Sequence, residues 1–145
     1  MISGNNSLNV PRYTIKVRQQ PLHARISGKG ESVSKRVFQP PLILEVEFDD
    51  LNYSPSSTCL DTLSSLLVCN VALVSTEKEV MTKFIDKNGL LDNLLGSICI
   101  LPFQGKDVVG GTEKLFFVLS DLAIRLPGEY ILECKIFNKL TYLVY

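Results

Sequence analysis

The strongest constraint on the fold of this chain is the spacing of its apolar residues. They occur in short segments that either alternate with polar residues or form brief continuous runs, and turn signals separate the segments. A period of two is typical of β-strands, and no sustained period of 3.6 residues indicates an amphipathic helix. With 145 residues, the chain is long enough to bury the core of one domain. The pattern therefore predicts an all-β sandwich.

Individual strands can be placed from the same pattern. We expect strands over residues 13–18, 42–48 and 130–137, where apolar and polar residues alternate. Residues 66–74 are apolar at both odd and even positions, so both faces of a strand there would be apolar. This pattern predicts a central strand that is covered on both faces.

The segments outside the strands set the expected boundaries of the domain. Residues 1–12 are polar, so we expect a flexible lead-in followed by one domain over residues 13–145. Residues 19–41 contain three prolines and two glycines but few apolar side chains. This composition predicts a loop that is longer than a compact domain usually carries without a function.

The zero formal net charge conceals an asymmetry along the chain. Residues 1–36 carry seven basic residues and one acidic residue, whereas residues 37–145 carry eight basic and fourteen acidic residues. Such a split can mark an arm that binds a polyanion and is attached to an acidic body. Two ordinary solvated patches would give the same count, so charge alone leaves both interpretations open.

The basic segment also contains a glycine-rich turn. The cations that flank it are Arg25, Lys29, Lys35 and Arg36. Such a turn can bring backbone N–H groups and positive charge to a DNA phosphate, and a surface loop with ordinary charges is the alternative. The turn lacks the spacing of a nucleotide-binding P-loop.

Few residues suggest catalysis or metal binding. The single histidine, His23, lies in the basic loop, and nothing near it resembles a nucleophile of the Ser–His–Asp or Cys–His type. The four cysteines are ten, thirty and thirty-five residues apart, without the close pairs of a zinc site. We therefore expect four reduced thiols, no catalytic residues, no metal and no cofactor. Acidic pairs such as Glu45 and Glu47 are expected to be solvated carboxylates at strand ends.

Two further sequence features bear on the cellular compartment. No apolar run reaches the roughly 18 residues that a membrane helix needs. The first ten residues have neither the basic start nor the apolar centre of a signal peptide. These features predict an intracellular protein that does not span a membrane.

Two blocks of motifs resemble the velvet domain of fungal developmental regulators. The first block holds R-Q-Q-P at 18–21, A-R at 24–25, G-K-G-E at 28–31, K-R at 35–36 and P-P-L-I at 40–43. The second block holds L-L-V-C-N-V-A-L-V at 66–74, L-G-S at 95–97 and F-F-V-L-S-D-L-A-I-R at 116–125. The resemblance covers residues 13–138, and both blocks are long enough to be specific.

The resemblance implies an immunoglobulin-like β-sandwich that is similar to Rel homology domains. It also implies a regulator of development, sporulation and secondary metabolism, located in the nucleus and cytoplasm, that binds double-stranded DNA as a homo- or heterodimer with other velvet-family proteins. Carried over by position, the DNA contacts would come from Lys29, Lys35 and Arg36, with Arg25 as a fourth. The alternative is a velvet-type interaction subunit whose partner supplies most DNA contacts.

Two of the departures from the family pattern bear on the expected function. Ser32, Val33 and Ser34 stand where further cations are common in the basic loop. The family domain continues beyond residues 136–137 to another strand and a basic tail. We therefore expect a sandwich that is truncated at its C-terminus or that closes with residues 139–145 as a substitute final strand. Because residues 140–145 are mainly apolar, we also expect the chain to associate rather than remain a monomer.

Overall fold

The computed structural model describes residues 12–27, 36–48, 57–108 and 110–139, and these residues confirm the predicted all-β class. Eleven strands and one helix occur in them. In chain order the elements are β1 (Tyr13–Gln19), β2 (Leu42–Phe48), α1 (Ser57–Leu66), β3 (Leu67–Ser75), β4 (Lys83–Asp86), β5 (Gly89–Asp92), β6 (Leu94–Leu95), β7 (Cys99–Ile100), β8 (Phe103–Lys106), β9 (Glu113–Leu119), β10 (Ala123–Ile124) and β11 (Tyr130–Asn138).

The strands form two main sheets and two small pairs. One main sheet has the order β1-β2-β9-β8, and the other has the order β11-β3-β7. Every pairing between these strands is antiparallel. Strand β3 therefore lies at the centre of its sheet, as predicted, although Asn70 on its second face is exposed. The small pairs are β4 with β5 and β6 with β10.

The core lies between the two main sheets because alternate residues along their strands are apolar and point inward. In β9, for example, Leu115, Phe117 and Leu119 are almost fully buried, whereas the intervening residues are half-buried. The inward-facing side chains of β2, β9 and β3 belong to one apolar cluster. This cluster gives the two-layer arrangement that the period of two predicts, while the immunoglobulin-like topology stays a prediction.

Helix α1 was not predicted from the sequence. Leu60 and Leu63, three residues apart, bury its apolar side with 0% and 4% exposure. Ser64 and Ser65 donate hydrogen bonds of 2.7 Å from their hydroxyls to carbonyls three residues earlier. The helix is short and rich in Ser and Thr, which have modest helix propensity, so two leucines give too weak a periodic signal to predict it.

The L-G-S motif owes its glycine to a close approach between two chain segments. Gly96 has a φ of +109°, and a Cβ atom there would collide with the backbone carbonyl of Asp121. The Asp121 carboxylate in turn accepts hydrogen bonds from Ser97, at 3.0 Å from the backbone N–H and 2.8 Å from the hydroxyl. This contact holds the segment before β7 against the segment before β10. Two of the family-like motifs therefore have a structural role.

A buried amide fixes the turn that precedes β11. Asn93 is fully buried, and its Nδ2 donates a hydrogen bond of 2.9 Å to the Met81 carbonyl. Its Oδ1 accepts one of 2.9 Å from the backbone N–H of Leu126. The hydroxyl of Tyr130 donates to the same turn, at 3.1 Å from the Leu126 carbonyl. These bonds set the position at which β11 enters its sheet.

Several sequence predictions fall on residues that the structure does not describe. The lead-in is described only at Arg12, and residues 140–145 lie outside the described part of the chain. Of the four cysteines, Cys69, Cys99 and Cys134 are free thiols, which confirms the prediction for these three.

Candidate nucleic-acid interface

The two ends of the predicted basic loop pair with each other. Leu22 and His23 donate backbone hydrogen bonds of 3.0 and 3.3 Å to the Gln39 carbonyl, and Gln39 donates one of 3.2 Å to the His23 carbonyl. The side-chain amide of Gln19 donates a bond of 2.7 Å to the Pro41 carbonyl. The loop therefore has a hydrogen-bonded stem.

Beyond the stem, Ser27 closes the neck of the loop. Its backbone N–H donates to the Ile124 carbonyl at 2.8 Å, and its hydroxyl oxygen accepts from the backbone N–H of Arg36 at 2.9 Å. On the returning limb, the backbone N–H of Phe38 donates to the Leu122 carbonyl at 2.8 Å. Ser27 is only 2% exposed. Residues 27 and 36 are therefore held beside each other and against the segment that contains Ile124.

The segment that accepts these hydrogen bonds, residues 122–124, belongs to the core. Leu122, Ala123 and Ile124 are between 0% and 7% exposed. Strand β10 pairs with β6, with Ala123 opposite Leu95 and Ile124 opposite Leu94. Because buried, paired backbone moves little, the neck of the loop is held in a fixed place relative to both sheets.

The structure describes two of the four predicted DNA-binding residues. Arg25 and Arg36 are both exposed, and they lie on the two sides of the neck that Ser27 closes. Neither forms an ion pair with the residues that the structure describes. Lys29 and Lys35 lie outside the described residues. Two permanently charged guanidinium groups therefore face solvent at the neck, where they can donate to phosphate oxygens.

A second group of cations behaves differently. Arg18 on β1 and Lys114 on β9 flank Glu45 on β2, whose side chain is only 2% exposed. Lys114 Nζ lies 2.7 Å and the Arg18 guanidinium 3.3 Å from Glu45 Oε1. Asp107 completes the cluster, with its carboxylate 3.2 Å from Lys114 and 3.4 Å from Arg18. Two cations and two carboxylates balance each other on the outer face of the four-stranded sheet.

The cluster corrects one sequence prediction. Glu45 was expected to be a solvated carboxylate at a strand end, but it is buried because strands on both sides of β2 place cations over it. Hydrogen bonding to Glu45 is the main cause that raises the pKa of Lys114. For Arg18, hydrogen bonding to Asp107 is the main cause that raises the pKa. Glu47, two residues along the same strand, is exposed as predicted.

His23 lies in the stem of the basic loop. Its imidazole is exposed, and its backbone is part of the loop stem with Gln39. Within the described ranges, no group of three or more His, Cys, Asp or Glu side chains is placed to hold a metal ion. In the same ranges, no helix is both long enough and apolar enough to cross a membrane.

Sequence reasoning missed Ser27, the residue that closes the neck. Nothing in the sequence distinguishes it from the other serines of the basic segment. Its role depends on the carbonyl of Ile124, almost one hundred residues away in the chain. Only the tertiary structure shows that contact.

A family model described as Velvet factor matches residues 13–89 and 85–142. The sexual development regulator VELC of Pyricularia oryzae is 31% identical over 134 residues, which are 92% of this chain and 30% of that protein. The spore development regulator vosA of Beauveria bassiana is 31% identical over 121 residues, which are 82% of this chain and 43% of that protein.

A third relative is more distant. The spore development regulator RYP2 of Ajellomyces capsulatus is 25% identical over 126 residues, which are 87% of this chain and 29% of that protein. The chain thus spans between 29% and 43% of the length of these three relatives.

Proposed function

This chain belongs to the velvet family, and we propose that it is the DNA-binding part of a regulator of fungal development and sporulation. It binds double-stranded DNA through the basic loop over residues 25–36, works as a homo- or heterodimer with other velvet proteins, and acts in the nucleus. Control of secondary metabolism is part of the same proposal. The relatives' names, which refer to sexual and spore development, support the developmental role.

The observation that carries the proposal is the closed neck of the basic loop. The bond between Ser27 and the backbone of Arg36 fixes the two ends of the loop beside each other, and Arg25 and Arg36 are exposed there. Phosphate contacts fix the register and orientation of a protein on DNA. Cations at the fixed base of a loop can make such contacts in a defined orientation relative to both sheets.

Exposed apolar residues support the proposed dimer. Strand β8 lies at the end of its sheet, and Leu101 and Phe103 next to and on it are 53% and 50% exposed. Phe103 also contacts Phe116 on β9, with ring centroids 6.1 Å apart. An exposed edge strand with apolar side chains favours association with another chain. Light scattering over a hundredfold dilution series should give a mass above that of the monomer, and Phe103→Ser should lower it.

The alternative is an interaction subunit whose velvet partner supplies most DNA contacts. It is favoured by the cluster around Glu45, which neutralises Arg18 and Lys114 and so removes two cations from the surface available to phosphates. In that case the chain alone binds duplex DNA weakly, and a mixture with a relative binds it well.

One experiment separates the two functions. Binding of the chain to duplex DNA is measured as a function of salt, for the parent and for a variant with Lys35→Ala and Arg36→Ala. Each phosphate contact contributes about −0.9 to the slope of log affinity against log salt, so the variant should have a slope shallower by about two units. If the variant binds like the parent at every salt concentration, the loop is not the DNA site and the interaction subunit takes its place.

A further inference from the structure

An open cleft of about 660 Å³ lies between the two main sheets, at the side where β1 and β11 form the sheet ends. Apolar residues contribute a little more than half of its wall, including Ile15 and Val17 from β1 and Leu132 from β11. Cys134 also lines the cleft, as does His23 from the stem of the basic loop. The volume is within the range of sites that bind small molecules.

A second thiol lies next to Cys134 on the neighbouring strand. In the pairing of β11 with β3, Cys134 stands opposite Val71, and Ile136 stands opposite Cys69. Cys69 and Cys134 are therefore diagonal neighbours, and they share the face of the sheet that points to the core. Cys69 is fully buried, whereas Cys134 is half-buried. The arrangement places one thiol in the wall of the cleft and the other beside it in the core.

Each of the two thiols shifts the pKa of the other. A hydrogen bond from the Cys69 thiol to the Cys134 sulfur, together with burial, raises the pKa of Cys69. The same bond lowers the pKa of Cys134, since it stabilises the thiolate that accepts it. The thiolate is the nucleophilic form of cysteine, so the more accessible member of the pair is also the more reactive one.

We propose that Cys134 is a modification site at which an apolar organic hydroperoxide oxidises this domain, and that Cys69 then forms a disulfide with it. The apolar wall of the cleft selects the peroxide, and the thiol at the cleft surface receives its oxygen. The stem of the basic loop contributes Leu22 and His23 to the wall of the cleft, but the chemistry of the two thiols does not require bound DNA.

The chemistry proceeds in two steps. The Cys134 thiolate attacks the terminal peroxide oxygen, the O–O bond breaks, and the alkoxide that leaves takes a proton to become an alcohol. The sulfur is oxidised by two electrons to a sulfenic acid, and the peroxide is reduced. The Cys69 sulfur then attacks the Cys134 sulfur, an S–S bond forms, and the S–O bond breaks. The departing hydroxide takes the thiol proton of Cys69, which yields water.

The fold permits this second step. Cys69 and Cys134 are diagonal neighbours on one face of an antiparallel pair, so a small shift of one strand brings their sulfurs within bonding distance. Among the described residues, β11 pairs along its length only with β3 and lies at the end of its sheet. A strand with neighbours on one side moves more readily than a strand between two others.

Cys99 offers a matched control on the same sheet. It pairs with Asn70, so it lies on the opposite face of β3, where it is exposed to solvent. Accessibility alone would make Cys99 the first thiol to be oxidised. The proposal requires that the less exposed Cys134 reacts first.

The test treats the full chain with cumene hydroperoxide or, in parallel, with hydrogen peroxide, and maps the products by peptide mass spectrometry. We expect a linked peptide that contains Cys69 and Cys134, formed faster with cumene hydroperoxide. The Cys99→Ser variant should form the same link, and Cys134→Ser should lose it. In Cys69→Ser, dimedone should trap the sulfenic acid on Cys134.

Because Cys69 is fully buried, its replacement could prevent folding, and dimedone quenching of the wild-type chain at early times gives the same assignment. Oxidation of Cys99 or Cys59 before Cys134 would overturn the proposal. The same holds if cumene hydroperoxide produces no link between Cys69 and Cys134.

Discussion

Two groups of basic residues in this chain have the same charge but different surroundings. Arg18 and Lys114 lie over the buried carboxylate of Glu45 and share a second carboxylate, Asp107. Arg25 and Arg36 stand at the neck of the basic loop, where no described carboxylate pairs with them. The carboxylates of the fold neutralise the first group, whereas the second group is exposed to solvent.

The difference shows what a charge count leaves out. Arg18 contributes to the basic excess of residues 1–36 as much as Arg25 does. Arg18 serves stability, because moving it to a phosphate would leave Glu45 with less compensation for its burial. A cation whose charge the fold already balances is less available to DNA than one that the fold leaves exposed and unpaired.

Among single substitutions, we expect the largest loss of stability at Glu45. Replacement by alanine removes a buried carboxylate from between Arg18 and Lys114, and it should lower the free energy of unfolding by about 2–3 kcal/mol. The estimate is at the low end for buried pairs because both cations are about a third exposed and can be hydrated. Urea denaturation measures it.

The control for this prediction is Glu47→Ala, on the same strand and the same face but exposed. It should change stability by less than about 0.5 kcal/mol. Equal effects of the two substitutions would contradict the structural role assigned to the cluster.

A smaller loss of stability is expected from a substitution at the neck of the loop. Ser27→Ala removes the acceptor for the backbone N–H of Arg36 and should cost about 1 kcal/mol of stability. Since the ends of the loop are then less firmly held, DNA affinity should fall. The salt slope should stay the same, because no cation is lost.

The matched control is Ser65→Ala, which removes an exposed hydroxyl from α1. It should leave DNA affinity unchanged. If Ser27→Ala lowers stability but DNA binding stays at the parent level, the closed neck has no part in recognition.

The smallest expected effect is a decline in the free energy of unfolding at alkaline pH. The pKa of Lys114 is raised in the folded state by Glu45, so its contribution to stability is complete below the unfolded pKa and is lost as the pH rises through the folded value. Burial raises the pKa of the Tyr13 phenol, which acts in the same direction. The free energy of unfolding should therefore decline above about pH 10.

Lys114→Arg keeps its charge to higher pH, so the decline in stability should be shallower in this variant. Denaturant unfolding at several alkaline pH values measures the decline. Lys106→Arg, at an exposed position on β8, is the control and should follow the parent. A Lys114→Arg curve that coincides with the parent curve would contradict the assigned pairing.

The sequence was most informative about the strands. Strands β1, β2 and β11 lie where alternation predicts them, since a sheet with one buried face imposes a period of two. Helix α1 escaped because two buried leucines within ten residues give little periodicity. The motif resemblance predicted the family correctly, and the family model covers most of the chain.

The site was less predictable than the fold. The exposure of Arg25 and Arg36 follows from their charge. The hydrogen bond between Ser27 and Ile124, in contrast, joins residues that are distant in sequence. The burial of Glu45 had the same origin, because its cations come from β1 and β9, on either side of its strand. Contacts of this kind depend on sheet order, which alternation alone does not specify.

The most direct test of the central claim compares two double variants with the same loss of charge. Arg25→Ala with Arg36→Ala removes the cations at the neck, and Lys87→Ala with Lys106→Ala removes two exposed cations elsewhere. DNA binding is measured against salt for both variants and the parent, in the assembly that binds duplex DNA.

The account predicts that the neck variant loses about two units of salt slope, at about 0.9 per phosphate contact, while the control keeps the parent slope. Equal slopes for the two variants would contradict the account, because charge at the neck would then count no more than charge anywhere else on the surface.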